Sequence, residues 1–268
     1  MPLASLPMYD LPEVAAATDA IWSGLARAMA REGVPDVPAH LTRGPDSQKQ
    51  WLHPALLFSQ TCGYPLTHAL SGRVRVVATP AYDCTGCDGP GYSSAIVVRA
   101  DDPARGLEDL RGRCAAVNTV VSQSGYSALR AAVTPFACDG RFFGRVVESG
   151  WHAASMVLVQ DGEADVCAVD CVTHALLARH RPAAVEGLRV LTWSAVAPGL
   201  PYVTRATADD DLLARLRAGL FAMLDDPDLA AARDAVFLAG AEVLSETAYE
   251  RILDLERDAE ACGYAQLA

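Results

Sequence analysis

Cys114-Ala-Ala-Val117, followed by Asn118-Thr-Val-Val-Ser122-Gln123-Ser124-Gly125-Tyr126, decides how the chain is read. The first four residues have the small, apolar character of a buried strand. A short turn follows, and residues 124–133 carry apolar side chains at helical spacing. A strand that passes through a brief loop straight into a helix is the repeating unit of α/β architecture.

The same alternation extends outward in both directions. Upstream, strands are expected over 4–8, 37–42, 56–60, 74–79 and 94–98. Asp10 reads as a helix N-cap, with Pro12 in the first turn and Glu13 three residues on. Val14, Ile21, Trp22, Leu25 and Met29 carry that helix to about residue 31, before Gly33. A short helix is expected near 67–70. Downstream, strands are expected over 146–148, 166–169 and 188–194, and helices over 151–160 and 172–178. Pro198-Gly-Leu-Pro201 is a bend. Beyond it Leu212, Leu213, Leu216, Leu220, Phe221 and Leu224 form an apolar helical stripe. Asp226-Pro227 starts a further helix, and 248–259 is the last. The segments 94–99 and 193–204 read as two crossovers between lobes. This gives a first lobe of 1–98 plus 199–268, with the C-terminal helices packed back on it, and a second lobe of 99–198.

Composition narrows the function. The 268 residues contain 22 Lys plus Arg against 33 Asp plus Glu, a net charge of −11, with 51% apolar and 21% charged residues. Such a chain has a packed core and is not disordered as a whole. The acidic balance argues against nucleic acid or an anionic membrane surface as the main partner. No stretch reaches the ~18–20 apolar residues of a membrane span. The first residues have no basic start and no sustained apolar run, so no export signal is read in the chain as given. As it stands the chain reads as cytoplasmic, or as periplasmic if a signal was removed. One lysine, Lys49, stands among the basic residues, which disfavours Schiff-base chemistry. The eight cysteines are scattered and read as mostly free, buried thiols.

Four places carry chemistry. Ser122, Ser124 and Gly125 open a helix, where free N–H groups and the positive dipole end can hold an anion without Lys or Arg. A serine there is equally an ordinary N-cap. His152 lies at another helix start, as an oxyanion donor or a surface cap. Asp170 ends a buried strand, where it either meets a ligand that brings its own donor or caps the following helix. Tyr9, and Gln60, Thr61 and Tyr64, lie at the carboxyl ends of strands, as polar ligand contacts or turn residues. Cys84-Thr-Gly-Cys87 is a CxxC in a Gly/Pro loop with no second matching pair; it reads as free thiols or a loop disulfide, and no metal site is expected. Ser124, His152 and Asp170 are triad residue types, but there is no GxSxG, and neither nucleotide-binding glycine motif is present. No catalytic residue and no cofactor are expected.

Asp109-Leu-Arg-Gly112, the Ser-Gln-Ser-Gly-Tyr helix start, Gly162-Glu-Ala-Asp165, Asp170-Cys-Val-Thr173 and Pro198-Gly-Leu-Pro201 occur in an order and spacing that resembles the phosphate/phosphite/phosphonate-binding proteins of ABC transporters. The resemblance runs over nearly the whole chain. It implies a type II periplasmic-binding-protein fold, two lobes with a central ligand cleft and two crossover hinge strands. It implies a ligand set of Tyr9, Tyr64, Ser122, Ser124, Gly125, Tyr126, His152 and Asp170. Gln123 stands where the family commonly has threonine. The function implied is capture of a small phosphorus oxyanion for uptake, with an ABC permease as partner. Alternatives are an enzyme on the same fold, akin to the pyrimidine-precursor or menaquinone-pathway enzymes with His152 as base, or an intracellular sensor.

Overall fold

The buried run Cys114–Val117 forms a strand with parallel neighbours on both sides, Arg145–Glu148 and Val166–Asp170. A strand flanked in this way is covered on both faces, which is why its residues are small and apolar throughout. This computed structural model describes residues 2–268. The chain divides into two compact units, one of residues 1–83 and 199–248, the other of residues 84–198 and 249–268.

In the second unit a five-stranded sheet runs in the order Leu188–Trp193, Ser94–Arg99, Val166–Asp170, Cys114–Val117, Arg145–Glu148. Ser94–Arg99 is antiparallel to both of its neighbours, and Ser94 sits opposite Asp170. Ile96, Val98, Ala115, Val117, Val166 and Ala168 form one core with Leu129, Val133, Phe142 and Phe143. A small sheet of Cys87–Asp88, Gly91–Tyr92 and Ala197–Pro198 completes the strands of this unit.

In the first unit the sheet order is Leu3–Ala4, Leu56–Gln60, Tyr202–Arg205, Val74–Tyr82, Leu238–Glu242. Helix Ala15–Arg31 packs on helix Asp210–Leu224. A Cβ on Gly219 would come 2.9 Å from the Met29 backbone, so the absent side chain sets how closely these helices approach.

The α/β class is as expected, but several details differ. Ser94–Arg99 lies within the second unit's sheet, because its Ala95–Val98 run is buried on both faces there. The first break between units falls at 83/84 rather than 98/99. The C-terminal helix Glu250–Ala261 belongs to the second unit, not the first. Arg130 ties it there by an ion pair to Glu256 at 3.3 Å, and Tyr264 and Leu267 join the second unit's core.

The expected strand over 37–42 does not form: Pro38 has no N–H, and the segment is held instead by Thr42 N–H donating to Ala4 O and Trp22 Nε1–H donating to Pro38 O. Asp10 does not cap the first helix; its carboxylate accepts from Arg43 at 2.5 and 3.1 Å. Strand Leu238–Glu242, unanticipated, pairs with Val74–Tyr82.

Candidate functional site

The loop after Cys114–Val117 leads into a π-helical turn, Gln123–Ser127, that continues as helix Ala128–Val133. The Ser127 N–H reaches back to Ser122 O at 3.1 Å, which widens the first turn. Ser122 is the N-cap, and its Oγ accepts from Gly125 N–H at 3.0 Å. The Gly125 amide is therefore spoken for. The space beside Gly125 is filled by protein: a Cβ there would lie 1.9 Å from Asn118 Oδ1 and 3.1 Å from His152 Cε1. Gly125 is small so that these two side chains can pack over the helix start, and not to admit a ligand to the backbone as expected.

His152 begins helix His152–Gln160. Its Nε2 lies 3.0 Å from Ser124 Oγ, so the structure brings Ser124, Gly125 and His152 into one cluster. Burial holds the imidazole down at a pKa of about 4, and the nearby Ala168 carbonyl offsets only part of that cost. The ring is neutral at neutral pH. Its Nδ1 is shielded from solvent and makes no well-formed hydrogen bond, so no carboxylate orients the ring as a hydrolase triad requires.

Gln123 is 1% exposed, and neither its Oε1 nor its Nε2 has a hydrogen-bond partner; Asn118 Oδ1 is also buried and unsatisfied. The helix start thus carries the Ser122 and Ser124 hydroxyls, a carboxamide and the leading backbone N–H groups. Such an array can accept negative charge through fixed dipoles in a shielded place.

The remaining expected residues separate into four kinds. Asp170 is buried and caps helix Cys171–His180, its Oδ1 accepting from Val172 N–H at 2.8 Å and Thr173 N–H at 3.0 Å. Tyr126 packs against the second unit's core, and its hydroxyl accepts from Leu267 N–H at 3.1 Å; it anchors the chain end rather than lining the helix start. Tyr9 and Gln60 meet in the first unit, where they line a cavity of about 30 Å³ with Thr18, Tyr82 and Tyr202. Gln60 Nε2 donates to Tyr82 Oη at 3.1 Å and to Leu200 O at 3.0 Å, so it orders this cavity. Tyr9 meets Tyr82 edge to face, with ring centroids 5.2 Å apart. Thr61 is buried, with its hydroxyl donating to Cys62 O, and Tyr64 stacks on His68 with ring centroids 3.8 Å apart.

Tyr82 and Tyr202 were missed by the sequence reading. Each sits in a sheet strand of the first unit, and burial pushes the Tyr202 hydroxyl up to about 12 although its hydrogen bond with Tyr82 opposes this. A phenol on a strand gives no sequence signal of whether it faces a cavity. A second omission concerns cysteine: Cys171 joins Cys84 and Cys87, so the CxxC is not isolated.

With this geometry in hand, the comparisons are specific. Residues 56–249 match the model of a family described as ABC transporter, phosphonate, periplasmic substrate-binding protein. A binding protein component of an ABC phosphonate transporter from Pseudomonas aeruginosa superposes with a TM-score of 0.77 at 17% identity, covering 98% of this chain and 87% of that one. PhnD1 from Prochlorococcus marinus, solved in complex with methylphosphonate, gives 0.75 at 13% identity, covering 96% and 98%. A Xanthomonas citri protein solved bound to chloride ion gives 0.72 at 16% identity, covering 98% of each chain. No curated protein matches by sequence. No helix among the described residues is long and apolar enough to cross a membrane. The family match spans well over half of the sequence, and the chain belongs to the periplasmic substrate-binding proteins of phosphonate ABC transporters, a family of solute-binding transport components.

Proposed function

We propose that this solute-binding protein captures a small phosphorus oxyanion — phosphonate, phosphite or phosphate — at the helix start formed by Ser122, Gln123 and Ser124, and delivers it to an ABC permease. The observation that carries the reading is the buried Gln123 carboxamide with no protein partner at either polar atom, in the first turn of a helix. A buried amide left unmet costs about 1–3 kcal/mol per group, and a tetrahedral oxyanion with a hydroxyl meets both its donor and its acceptor.

His152 acts through Ser124. His152 Nε2 lies 3.0 Å from Ser124 Oγ, and the tautomer of the neutral ring decides which of the two donates; with the proton on Nε2, the Ser124 O–H is free to donate to the ligand. Charge is then balanced by hydroxyls, amides and the helix dipole, in a chain whose net charge is −11. Each hydrogen bond to a charged oxygen contributes roughly 1.5–3 kcal/mol. Asp170, in the same unit as the helix start, is assigned to the ligand's substituent. Asp170 favours a ligand that brings its own donor, such as an ammonium or an acidic hydroxyl.

Isothermal titration with phosphate, phosphite, methylphosphonate and 2-aminoethylphosphonate tests this. At least one is expected to bind, and Ser124→Ala is expected to weaken it by roughly tenfold or more. Folded protein that gives no heat with any of the four sinks the ligand class. Unchanged affinity in Ser124→Ala sinks the placement.

A further inference from the structure

Outside the helix-start cluster, three thiols converge in the second unit. Cys84 Sγ lies 3.6 Å from Cys87 Sγ, which lies 3.3 Å from Cys171 Sγ, and all three sulfurs are within 4.8 Å of one another. Two come from the turn that opens the small hairpin, where Cys87 N–H donates to Cys84 O at 3.1 Å. The third is the first residue of helix Cys171–His180, and its own N–H is tied to Ser93 O at 3.2 Å.

The turn is pressed onto the helix. Gly86 has φ +99°, and a Cβ there would come 2.8 Å from Cys171 Cβ and 2.6 Å from the Trp193 ring. Glycine is required both for the backbone conformation and for the approach of the two sulfur-bearing segments.

The sequence pattern then completes itself. Cys171-Val-Thr-His174 places a histidine one turn along the same helix as the third thiol, on the same face. His174 is half-buried and is not among the groups whose ligand atoms all lie within 4.8 Å of one another, so its ring must turn inward to complete a fourfold set. The ensemble reads Cys-x2-Cys with Cys-x2-His, a spacing and ligand set of structural zinc sites.

We infer that Cys84, Cys87, Cys171 and His174 form a binding site for a thiophilic divalent cation, zinc foremost, that staples the CxxC turn to the start of helix Cys171–His180. Three observations support it. In a tetrahedral site with metal–sulfur bonds of ~2.3 Å the sulfurs stand about 3.8 Å apart, close to the spacings found. A disulfide joins only two of three mutually adjacent thiols and leaves one stranded. Asp170 is the residue next to Cys171 and its carboxylate caps the same helix, so a negative charge stands beside the third thiol. On binding, the three thiol protons pass to solvent and three thiolates and one neutral imidazole take up the metal, so no oxidant is needed. This inference does not depend on the oxyanion assignment.

The test uses the full chain, reduced and stripped with chelator, then titrated with Co²⁺ followed by Zn²⁺. The expected result is a thiolate-to-cobalt charge-transfer band and intense visible bands of a tetrahedral site, saturating at one equivalent and bleached by Zn²⁺. Cys171→Ser and, on the half-buried turn, Cys84→Ser are each expected to abolish these bands. His174→Gln is expected to shift the visible bands and weaken binding by at least about tenfold. Cys138→Ser and Cys262→Ser, at exposed positions, serve as controls and leave the titration unchanged. Absence of the bands in the reduced wild-type chain overturns the site, whatever disulfide it forms in air. Bands that survive both cysteine variants overturn it equally, and an unchanged spectrum in His174→Gln overturns the assignment of the fourth ligand.

Discussion

Gly125 is a glycine because Asn118 and His152 occupy the volume any side chain would need. Asn118 Oδ1 would stand 1.9 Å from a Cβ at this position. Gly125→Ala must therefore displace Asn118, and through it the His152 ring that touches Ser124. We expect destabilisation of about 1–3 kcal/mol from overpacking, read as a lower urea midpoint, together with loss of oxyanion binding. His152 makes a second residue-scale prediction. Its folded pKa of about 4 is below the model-peptide 6.5, so between these values the unfolded chain binds more protons than the folded one. Stability from this group is intact above about pH 6.5 and is lost as pH falls towards about 4, by up to about 3 kcal/mol. His152→Gln should flatten this acid slope in urea titrations at about pH 7 and about pH 4.5. An equal slope in both proteins would remove His152 as its source.

At the scale of elements, helix Cys171–His180 begins with Asp170, whose carboxylate takes up two of the helix's orphan N–H groups. The cap and any contact with a ligand are separable by substitution. Asp170→Ala removes the cap and is expected to cost ~0.5–2 kcal/mol. Asp170→Asn keeps a good cap, so thermal stability should change little. Yet it should weaken 2-aminoethylphosphonate far more than methylphosphonate, because only the former brings an ammonium to the lost charge. Equal weakening of both ligands by calorimetry would leave Asp170 as a cap alone. The π-helical turn at residues 123–127 works at the same scale: it opens the first turn of the helix, where the Gln123 side-chain carboxamide is left without a protein hydrogen-bond partner.

At the scale of the whole molecule, the C-terminal residues are part of the second unit's core. Tyr264 is fully buried, and Ala268 O accepts from the N–H groups of both Phe142 and Phe143. Deleting residues 262–268 removes Tyr264 and Leu267 from that core and strips these bonds. Each buried side chain is worth about 1.5–3 kcal/mol. We expect increased hydrogen exchange at Phe142 and Phe143 and along Cys114–Val117, with the sheet centred on Leu56–Gln60 and Tyr202–Arg205 spared. Protection lost instead from that first-unit sheet would contradict the assignment.

Local patterns determined the α/β class and most element positions. Cys114–Val117 is a strand because small apolar residues favour double burial, and 210–224 is a helix because its leucines recur with helical period. The serine-rich helix start was equally legible, since N-cap residues and turn geometry act within a few positions. What local chemistry leaves open is which side chains meet. Only tertiary packing put His152 on Ser124, turned Tyr126 towards Leu267, brought the Tyr82 ring against Tyr9, and carried Cys171 to the CxxC turn 84 positions away. It also assigned the last helix to the second unit. An amphipathic stripe specifies that a face will be buried, but the hydrophobic effect is non-directional, and the partner is chosen by the fold as a whole.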